Sequence, residues 1–215
     1  MKYTTALFDF DGTLAHSDDA LFHTFNETLD THGFPTISRV EFNGYVGKSF
    51  LEIYAKRASS SDHVKKMRET HVSVQSKHFD KYRLFPHVIE TLETLRAHHI
   101  TMAIVTTANK PKILHLLKSM RIESYFAAVI TAQDVQHVKP HPEPFTIALA
   151  SIQKEPTETL MVGDSDADIE GAKASGIAVA AVTYSTFGEK VRDYHPDYVI
   201  NDMIELIPLF TSTKV

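Results

Sequence analysis

The second half of this 215-residue chain alternates apolar runs of strand length with amphipathic runs of helix length, and this alternation limits the possible folds most strongly. From Phe85 onward the connections are short, as right-handed crossovers in a parallel sheet require. Strands are predicted over residues 100–105, 127–130, 159–162, 177–182 and 198–200. Helices are predicted over residues 86–98, 110–120, 144–152 and 166–175, with a terminal helix after the last strand.

The N-terminus supplies a sixth strand. Residues 3–10 have the composition of a buried strand, and Asp11-Gly12 is a strong turn signal. About 70 residues of helical character separate this strand from the next, far more than a usual α/β connection. We therefore predict an α/β fold, in which residues 1–14 and 85–215 form a doubly wound, Rossmann-like parallel sheet core. Residues 15–84 are predicted to form an inserted all-helical cap domain.

The insertion carries its own helix signals. Ser17, Asp18 and Asp19 can cap a helix that Gly33 ends, and further helices are expected over residues 50–58 and 62–82. No strand is expected between residues 15 and 84. We expect the cap above the carboxyl end of the first strand.

Composition excludes several classes of function. A hydrophobic content of 43% and a charged content of 23% are typical of a folded soluble protein, and the net charge of -5 argues against nucleic-acid binding. The absence of cysteine excludes disulfides and thiolate metal ligands. With no leader and no apolar span of roughly 20 residues, we expect no membrane partner and a cytoplasmic location. The 13 histidines lack a zinc-chelating H-E-x-x-H pair and are predicted to be solvated.

Two carboxylates, Asp9 and Asp11, lie two residues apart where the first strand ends. Alternate residues of a strand point to the same side, so both can face one site. A hairpin turn explains Asp11-Gly12 but leaves Asp9 unexplained, because a buried, unpaired carboxylate is costly. A metal ion, a lysine or backbone N–H groups must compensate for it.

Polar residues also follow the strands predicted over residues 100–105 and 127–130. Thr106 and Thr107 lead into a helix whose N-terminus suits a phosphate oxygen, although an ordinary helix cap explains them equally well. Lys139 lies in a loop that prolines stiffen, which holds its charge in place. A solvated lysine beside a proline-rich turn is the alternative.

The strand predicted over residues 159–162 is followed by three acidic residues, Asp164, Asp166 and Asp168. Acidic residues stabilise a helix N-terminus, so Asp166 and Asp168 need no functional reason. Asp164 directly follows the strand and a glycine, and with Asp9 it would supply oxygen ligands for Mg²⁺. Along the chain the groups come in the order of a carboxylate pair, a threonine, a lysine and a carboxylate. This set suits phosphoryl transfer.

The ordered motifs D-F-D-G-T-L, V-T-T, K-P-x-P-x-x-F and G-D-S-x-x-D-I resemble those of the haloacid dehalogenase superfamily. Y-S-T-F-G and P-D-Y-V-I near the end are similar to its phosphoglycolate-phosphatase branch with a helical cap. The resemblance implies a Mg²⁺-dependent phosphatase that acts on a small phosphorylated metabolite through an aspartyl phosphate. It makes Asp9 the nucleophile, and Asp11 the acid for the leaving group and then the base for water. Dehalogenases of the superfamily lack an acid at the position of Asp11.

The resemblance also implies roles for the remaining residues. Mg²⁺ would be held by Asp9, the backbone carbonyl of Asp11, and Asp164. Asp168 would support the metal's water ligands or Lys139. The phosphoryl group would be bound by Thr106, Thr107 and Lys139.

Two other functions share parts of this pattern. A β-phosphoglucomutase-like phosphosugar mutase carries a cap histidine twelve residues after the nucleophile, and this chain has Leu21 there. His23 is a candidate substitute, although a solvated helix position explains it better. A non-catalytic module that binds a phosphorylated metabolite is disfavoured because the acids, Thr106 and Lys139 are all present.

The segment G-Y-V-G-K-S, residues 44–49, is similar to a phosphate-binding P-loop but has the wrong spacing. A P-loop would need a glycine in place of Phe42, and no strand precedes it. We interpret the segment as a loop between cap helices, with Lys48 available for a substrate anion. The sequence leaves the oligomeric state open, and the substrate among phosphoglycolate, sugar phosphates, nucleotide monophosphates and pyrophosphate.

Overall fold

The computed structural model describes residues 2–45 and 50–212, without the side chains of residues 50–52. The chain divides into two compact units, Met1–His16 with Leu84–Val215, and Ser17–Arg83. In chain order the strands are β1 (Thr5–Phe8), β2 (Ala15–His16), β3 (Arg83–Leu84), β4 (Thr101–Val105), β5 (Ala128–Ile130), β6 (Thr159–Gly163), β7 (Ala178–Val182) and β8 (Tyr198–Ile200).

The α-helices are α1 (Asp18–Thr31), α2 (Arg39–Asn43), α3 (Phe50–Ala55), α4 (Ser61–Gln75), α5 (Val88–Ala97), α6 (Lys110–Ser119), α7 (Glu143–Ile152), α8 (Asp166–Ala174) and α9 (Ile207–Thr211). Shorter 3₁₀ helices cover Ser76–Lys81, Glu123–Tyr125, Pro156–Glu158, Gly188–Tyr194 and Met203–Leu206. Within the described residues, no helix has both the length and the apolar character that crossing a bilayer would need.

The first unit is built on six parallel strands in the order β5-β4-β1-β6-β7-β8. β1 lies at the centre, where Phe8 pairs with Ile104 of β4 on one side and Val162 of β6 on the other. Because every pair is parallel, all six carboxyl ends meet at one edge, where open sheets bind ligands. The predicted six-stranded α/β sheet is confirmed.

Side-chain caps place two helix N-termini at that edge. Asn109 accepts a hydrogen bond from the Lys112 N–H and starts α6 directly after β4. Ser165 and Asp168 form a capping box that starts α8 directly after β6. Behind the edge, strands and helices share one buried core that includes Leu7, Val105, Phe145, Met161, Ile169 and Val179.

The second unit is helical and has its own core, which includes Phe25, Leu29, Phe42, Tyr54 and Met67. As predicted, α1 ends before Gly33, which adopts a φ of +74°. The single helix predicted over residues 62–82 is wrong, because α4 ends at Gln75 and a 3₁₀ helix continues to Lys81.

Two short elements differ from the prediction for the insertion. Helix α2 was not predicted, because five residues are too few to show a helical period. The two-residue strands β2 and β3 pair with each other at the ends of the insertion, where no strand was expected. Backbone hydrogen bonding decides this pairing, and a two-residue strand carries no alternation that a sequence could show.

Candidate active site

Three neighbouring strands deliver predicted residues to the carboxyl edge of the sheet. Asp9 follows β1 and keeps the pairing with β6, since its N–H donates to the Val162 carbonyl at 2.9 Å. Asp164 directly follows β6, and Thr106 follows β4. Parallel pairing thus places residues that are far apart in sequence at one edge.

Lys139 connects the ends of β1 and β4 with the first turn of α8. Its Nζ donates to Asp9 Oδ1 at 2.6 Å, to Asp168 Oδ1 at 2.6 Å and to the Val105 carbonyl at 2.9 Å. An ammonium group has three hydrogens, so these contacts use all of them. Of the groups considered as compensation for Asp9, the structure shows a lysine.

Asp9, Asp164 and Asp168 are buried and each offers one oxygen within 4.8 Å of the others. Burial raises the pKa of Asp9 to about 7, against the lowering effect of Lys139. Burial and the charges of Asp9 and Asp168 also raise the pKa of Asp164 well above its usual value. Although burial lowers the pKa of Lys139, the two carboxylates outweigh it and hold that pKa above its usual range.

The donor set of this site fits a hard divalent cation such as Mg²⁺. Asp168 engages both of its oxygens, Oδ1 with Lys139 and Oδ2 with the Ser165 hydroxyl at 2.6 Å. Asp9 and Asp164 stay close together, and three buried carboxylates face one lysine in this cluster. A divalent cation would balance the remaining negative charge with the oxygen ligands that Mg²⁺ prefers.

Asp11 has a cationic partner that the sequence analysis missed. Lys112 Nζ donates to Asp11 Oδ2 at 2.7 Å, and the lysine is buried. Asp11 Oδ1 is also buried and has no hydrogen-bond partner within the described part of the chain. Lys112 lies in the first turn of α6, where the helix dipole disfavours a cation. That unfavourable placement is the signal that could have identified it.

The two threonines after β4 differ in their surroundings. Thr106 is buried, and its Oγ1 accepts the Ala108 N–H at 3.1 Å. Since the oxygen accepts this bond, the hydroxyl can still donate its hydrogen to a phosphoryl oxygen. Thr107 is exposed.

Comparison with known proteins places the chain in a family. Residues 6–182 match the family model of haloacid dehalogenase-like hydrolases. The chain belongs to the haloacid dehalogenase-like hydrolase family. The predicted family and the predicted hydrolase class are confirmed.

Individual relatives of this hydrolase align with 97% or more of the chain. Pyrophosphatase PpaX from Anoxybacillus flavithermus is 34% identical over 217 aligned residues, with 100% of both chains covered. A crystal structure of a predicted phosphoglycolate phosphatase from Haemophilus somnus is 25% identical, with a TM-score of 0.88 over 97% of this chain and 98% of that one. A haloacid dehalogenase-like family hydrolase from Streptococcus pneumoniae is 26% identical, with a TM-score of 0.86 over 98% and 99% of the two chains.

The turn after Asp11 explains why this hydrolase has a glycine at position 12. Gly12 has a φ of +88°, and a Cβ there would lie 2.2 Å from Asp164 Oδ2. Thr13 Oγ1 donates to Asp164 Oδ1 at 3.5 Å, and a hydrogen bond from the Ser185 side chain offsets part of the rise in the pKa of Asp164 that burial and the charges of Asp9 and Asp168 cause. Ser185 belongs to the Y-S-T-F-G motif, so this motif and the first and fourth of the ordered motifs meet at Asp164.

The remaining predicted residues lie in the second unit of the hydrolase or outside the described residues. His23 of α1 stacks on His78 with ring centroids 5.6 Å apart, and burial and Lys81 lower its pKa. Leu21 is partly buried against the core of the same unit. Lys48 lies outside the described residues, so its role stays a prediction.

Proposed function

We propose that this hydrolase is a Mg²⁺-dependent phosphatase that acts on a small phosphorylated metabolite through an aspartyl phosphate on Asp9. The observation that carries the proposal is the buried set of Asp9, Lys139, Asp164 and Asp168 at the carboxyl edge of the sheet. A strongly perturbed carboxyl in such a cluster is a candidate nucleophile. The phosphatase names of the relatives support the same reaction class.

In the first half-reaction Asp9 attacks phosphorus. A bond forms between an Asp9 carboxylate oxygen and phosphorus, and the bond from phosphorus to the leaving oxygen breaks. Two contacts hold Asp9 in place for this attack: the one with Lys139, and the hydrogen bond from its own N–H to the Val162 carbonyl. Asp11 gives its proton to the leaving oxygen, which makes that oxygen a neutral alcohol or an acid group.

In the second half-reaction Asp11, now a carboxylate, removes a proton from water. The water oxygen bonds to phosphorus, the phosphorus–Asp9 bond breaks, and phosphate leaves. Asp9 is a carboxylate again and Asp11 is protonated again, so the cycle closes. Lys112 holds the Asp11 carboxylate at 2.7 Å and thereby fixes its direction.

The charge on the phosphoryl oxygens would be balanced by several groups of this chain. Lys139 contributes one positive charge beside Asp9, and the buried Thr106 hydroxyl can donate a hydrogen bond. Mg²⁺, held by Asp9, Asp164 and the Asp11 carbonyl, would supply electrostatic stabilisation of the phosphoryl oxygens when bound.

Asp11 favours phosphate esters over haloacids as substrates. An alkoxide leaving group needs a proton, and Asp11 lies two residues from the nucleophile to supply it. A halide leaves without protonation. A dehalogenase would therefore gain nothing from the Asp11 carboxyl.

A metabolite screen tests the proposed function. Phosphate release should be measured from pyrophosphate, phosphoglycolate, hexose phosphates and nucleotide monophosphates, with Mg²⁺ and with a chelator. We expect release from at least one compound, dependence on Mg²⁺, and loss of turnover in Asp9→Asn. Absence of release from the whole panel, or equal release by Asp9→Asn, would overturn the proposal.

A further inference from the structure

Three side chains on or next to the exposed segment that carries Lys139 lie close together, outside the acidic cluster. His137, His141 and Glu143 each offer one ligand atom within 4.8 Å of the other two. His137 Nδ1 lies 2.9 Å from Glu143 Oε2, and His141 Nδ1 lies 3.9 Å from the same oxygen. The two imidazole rings have their centroids 4.5 Å apart. Thus two imidazoles flank one carboxylate oxygen.

Backbone groups orient this carboxylate. Glu143 Oε1 accepts the Gln136 N–H at 2.7 Å, and Oε2 accepts the His137 N–H at 2.9 Å. The Gln136 N–H bond is the largest cause that holds the pKa of Glu143 below its usual value, so the carboxylate stays ionised. Ligating carboxylates in metal sites are oriented by hydrogen bonds of this kind.

The donor types point to a particular class of ion. Two imidazoles and one carboxylate suit borderline ions such as Zn²⁺, whereas Mg²⁺ and Ca²⁺ prefer oxygen ligands. Two histidines and one glutamate are also a known three-ligand zinc set that leaves one position to water. Both histidine side chains are more than two-fifths exposed, so an ion can reach them.

We propose that His137, His141 and Glu143 form a binding site for a divalent transition-metal ion such as Zn²⁺, separate from the acidic cluster. The two histidines lie on either side of Lys139 in sequence, with the spacing H-x₃-H-x-E. A bound ion would therefore join both sides of the segment that positions Lys139. This spacing differs from H-E-x-x-H, whose absence led to the prediction that the histidines are solvated.

Zinc binding to the purified full-length chain tests this site directly. Zn²⁺ should be titrated against a chromophoric chelator in excess Mg²⁺, which keeps oxygen-ligand sites occupied. We expect the double variant His137→Ala/His141→Ala to lose one bound Zn²⁺, or to bind it more than about tenfold more weakly. Even groups that only hydrogen-bond to metal ligands change metal affinity by about 10- to 100-fold. His98→Ala, a change of another exposed histidine, should bind Zn²⁺ like the wild type.

Further variants separate this site from the acidic cluster and from a purely structural role of Glu143. Asp164→Asn should keep the zinc site, because it changes only the acidic cluster. Glu143→Gln can still accept hydrogen bonds but has no charge, so it should bind Zn²⁺ more weakly and stay folded by circular dichroism. Equal zinc stoichiometry and affinity in the wild type and in the double histidine variant would overturn the proposal.

A measurement on the wild type covers the case in which the variants misfold. Diethyl pyrocarbonate modifies exposed imidazoles, and peptide mapping reports each histidine separately. We expect Zn²⁺ to protect His137 and His141 while His98 reacts at an unchanged rate. Equal modification of His137 and His141 with and without Zn²⁺ would overturn the proposal. No substrate is used, so the result is independent of the proposed phosphatase activity.

Discussion

Lys139 Nζ lies 2.6 Å from Asp9 Oδ1, and both side chains are more than nine-tenths buried. The two residues are 130 positions apart in the chain. The same ammonium also contacts the last residue of β4 and Asp168 in the first turn of α8, so one lysine links the ends of β1 and β4 to the start of α8. The electrostatic balance of the candidate active site depends on this residue.

Lys139→Ala should destabilise the protein strongly at pH 8 without divalent ions. The change leaves Asp9 and Asp168 buried without their cation, and breaking a buried pair costs about 3 to 5 kcal/mol. The loss in the free energy of unfolding should be smaller at pH 5, where the carboxyls take up protons. Urea unfolding at the two pH values measures this free energy. Lys154→Ala, which removes a partly exposed pair with Glu158, should unfold like the wild type. Equal stability of the two variants would contradict the account.

Without divalent ions, the free energy of unfolding should decrease as the pH rises from about 4 to about 7. Burial raises the pKa of Asp9 from 3.8 to about 7, so the folded protein binds more protons than the unfolded chain in this range. Linkage then makes stability fall with pH, and at 1.36 kcal/mol per pKa unit Asp9 contributes about 4 kcal/mol.

Urea unfolding over this pH range, with the wild type and Asp9→Asn, measures the effect of Asp9. Asp9→Asn should show a shallower decrease, because asparagine does not titrate. Excess Mg²⁺ should raise the stability of the wild type most at the high end of the range, where the carboxylates are ionised. A wild-type slope equal to that of Asp9→Asn would exclude the raised pKa.

Gly12→Ala should reduce activity more than its effect on stability explains. The new methyl group would lie 2.2 Å from Asp164 Oδ2 and would displace that carboxylate. Gly33→Ala is the matched control, because Gly33 has a similar positive φ and a Cβ added there would have no atom within 4 Å. Both changes carry backbone strain, of about 1 kcal/mol. Steady-state kinetics and the Mg²⁺ concentration at half-maximal activity should change in Gly12→Ala alone.

Lys112→Gln should lower kcat by about 10- to 100-fold for alkyl phosphates. Lys112 holds Asp11, and acid–base catalysis by a positioned group is worth about 10²- to 10⁴-fold. Nitrophenyl phosphate has a leaving group that needs little protonation, so its turnover should fall less. Lys112→Arg should restore part of the loss. Equal losses for both substrate types would show that Lys112 acts on something other than proton transfer.

Much of the sheet follows from the sequence because its strands are continuous apolar runs. Residues 198–200 were predicted as a strand with the bounds that β8 has, and β4 differs from its prediction by one residue. The convergence of Asp9, Thr106, Lys139 and Asp164 follows from parallel topology, which brings successive strand ends to one edge.

The contacts of Lys112 and Lys139 could not be predicted in the same way. Lys112 reaches Asp11 because α6 starts at the edge of the sheet, and no local pattern gives that orientation. Lys139 was predicted to bind the phosphoryl group, and the structure shows it bound to Asp9, Asp168 and the Val105 carbonyl. Hydrogen-bond partners of a long side chain depend on tertiary packing, which spacing does not encode.

The most direct test is to trap the phosphoryl group on the protein. Asp11→Asn lacks the base for water but keeps Asp9, so with nitrophenyl phosphate and Mg²⁺ it should accumulate an aspartyl phosphate. Rapid quenching and peptide mapping by mass spectrometry would locate the group. We expect a phosphoryl group on Asp9 in Asp11→Asn and none in Asp9→Asn. Turnover by the wild type, with no phosphoryl group on Asp9 at any quench time in Asp11→Asn, would contradict it.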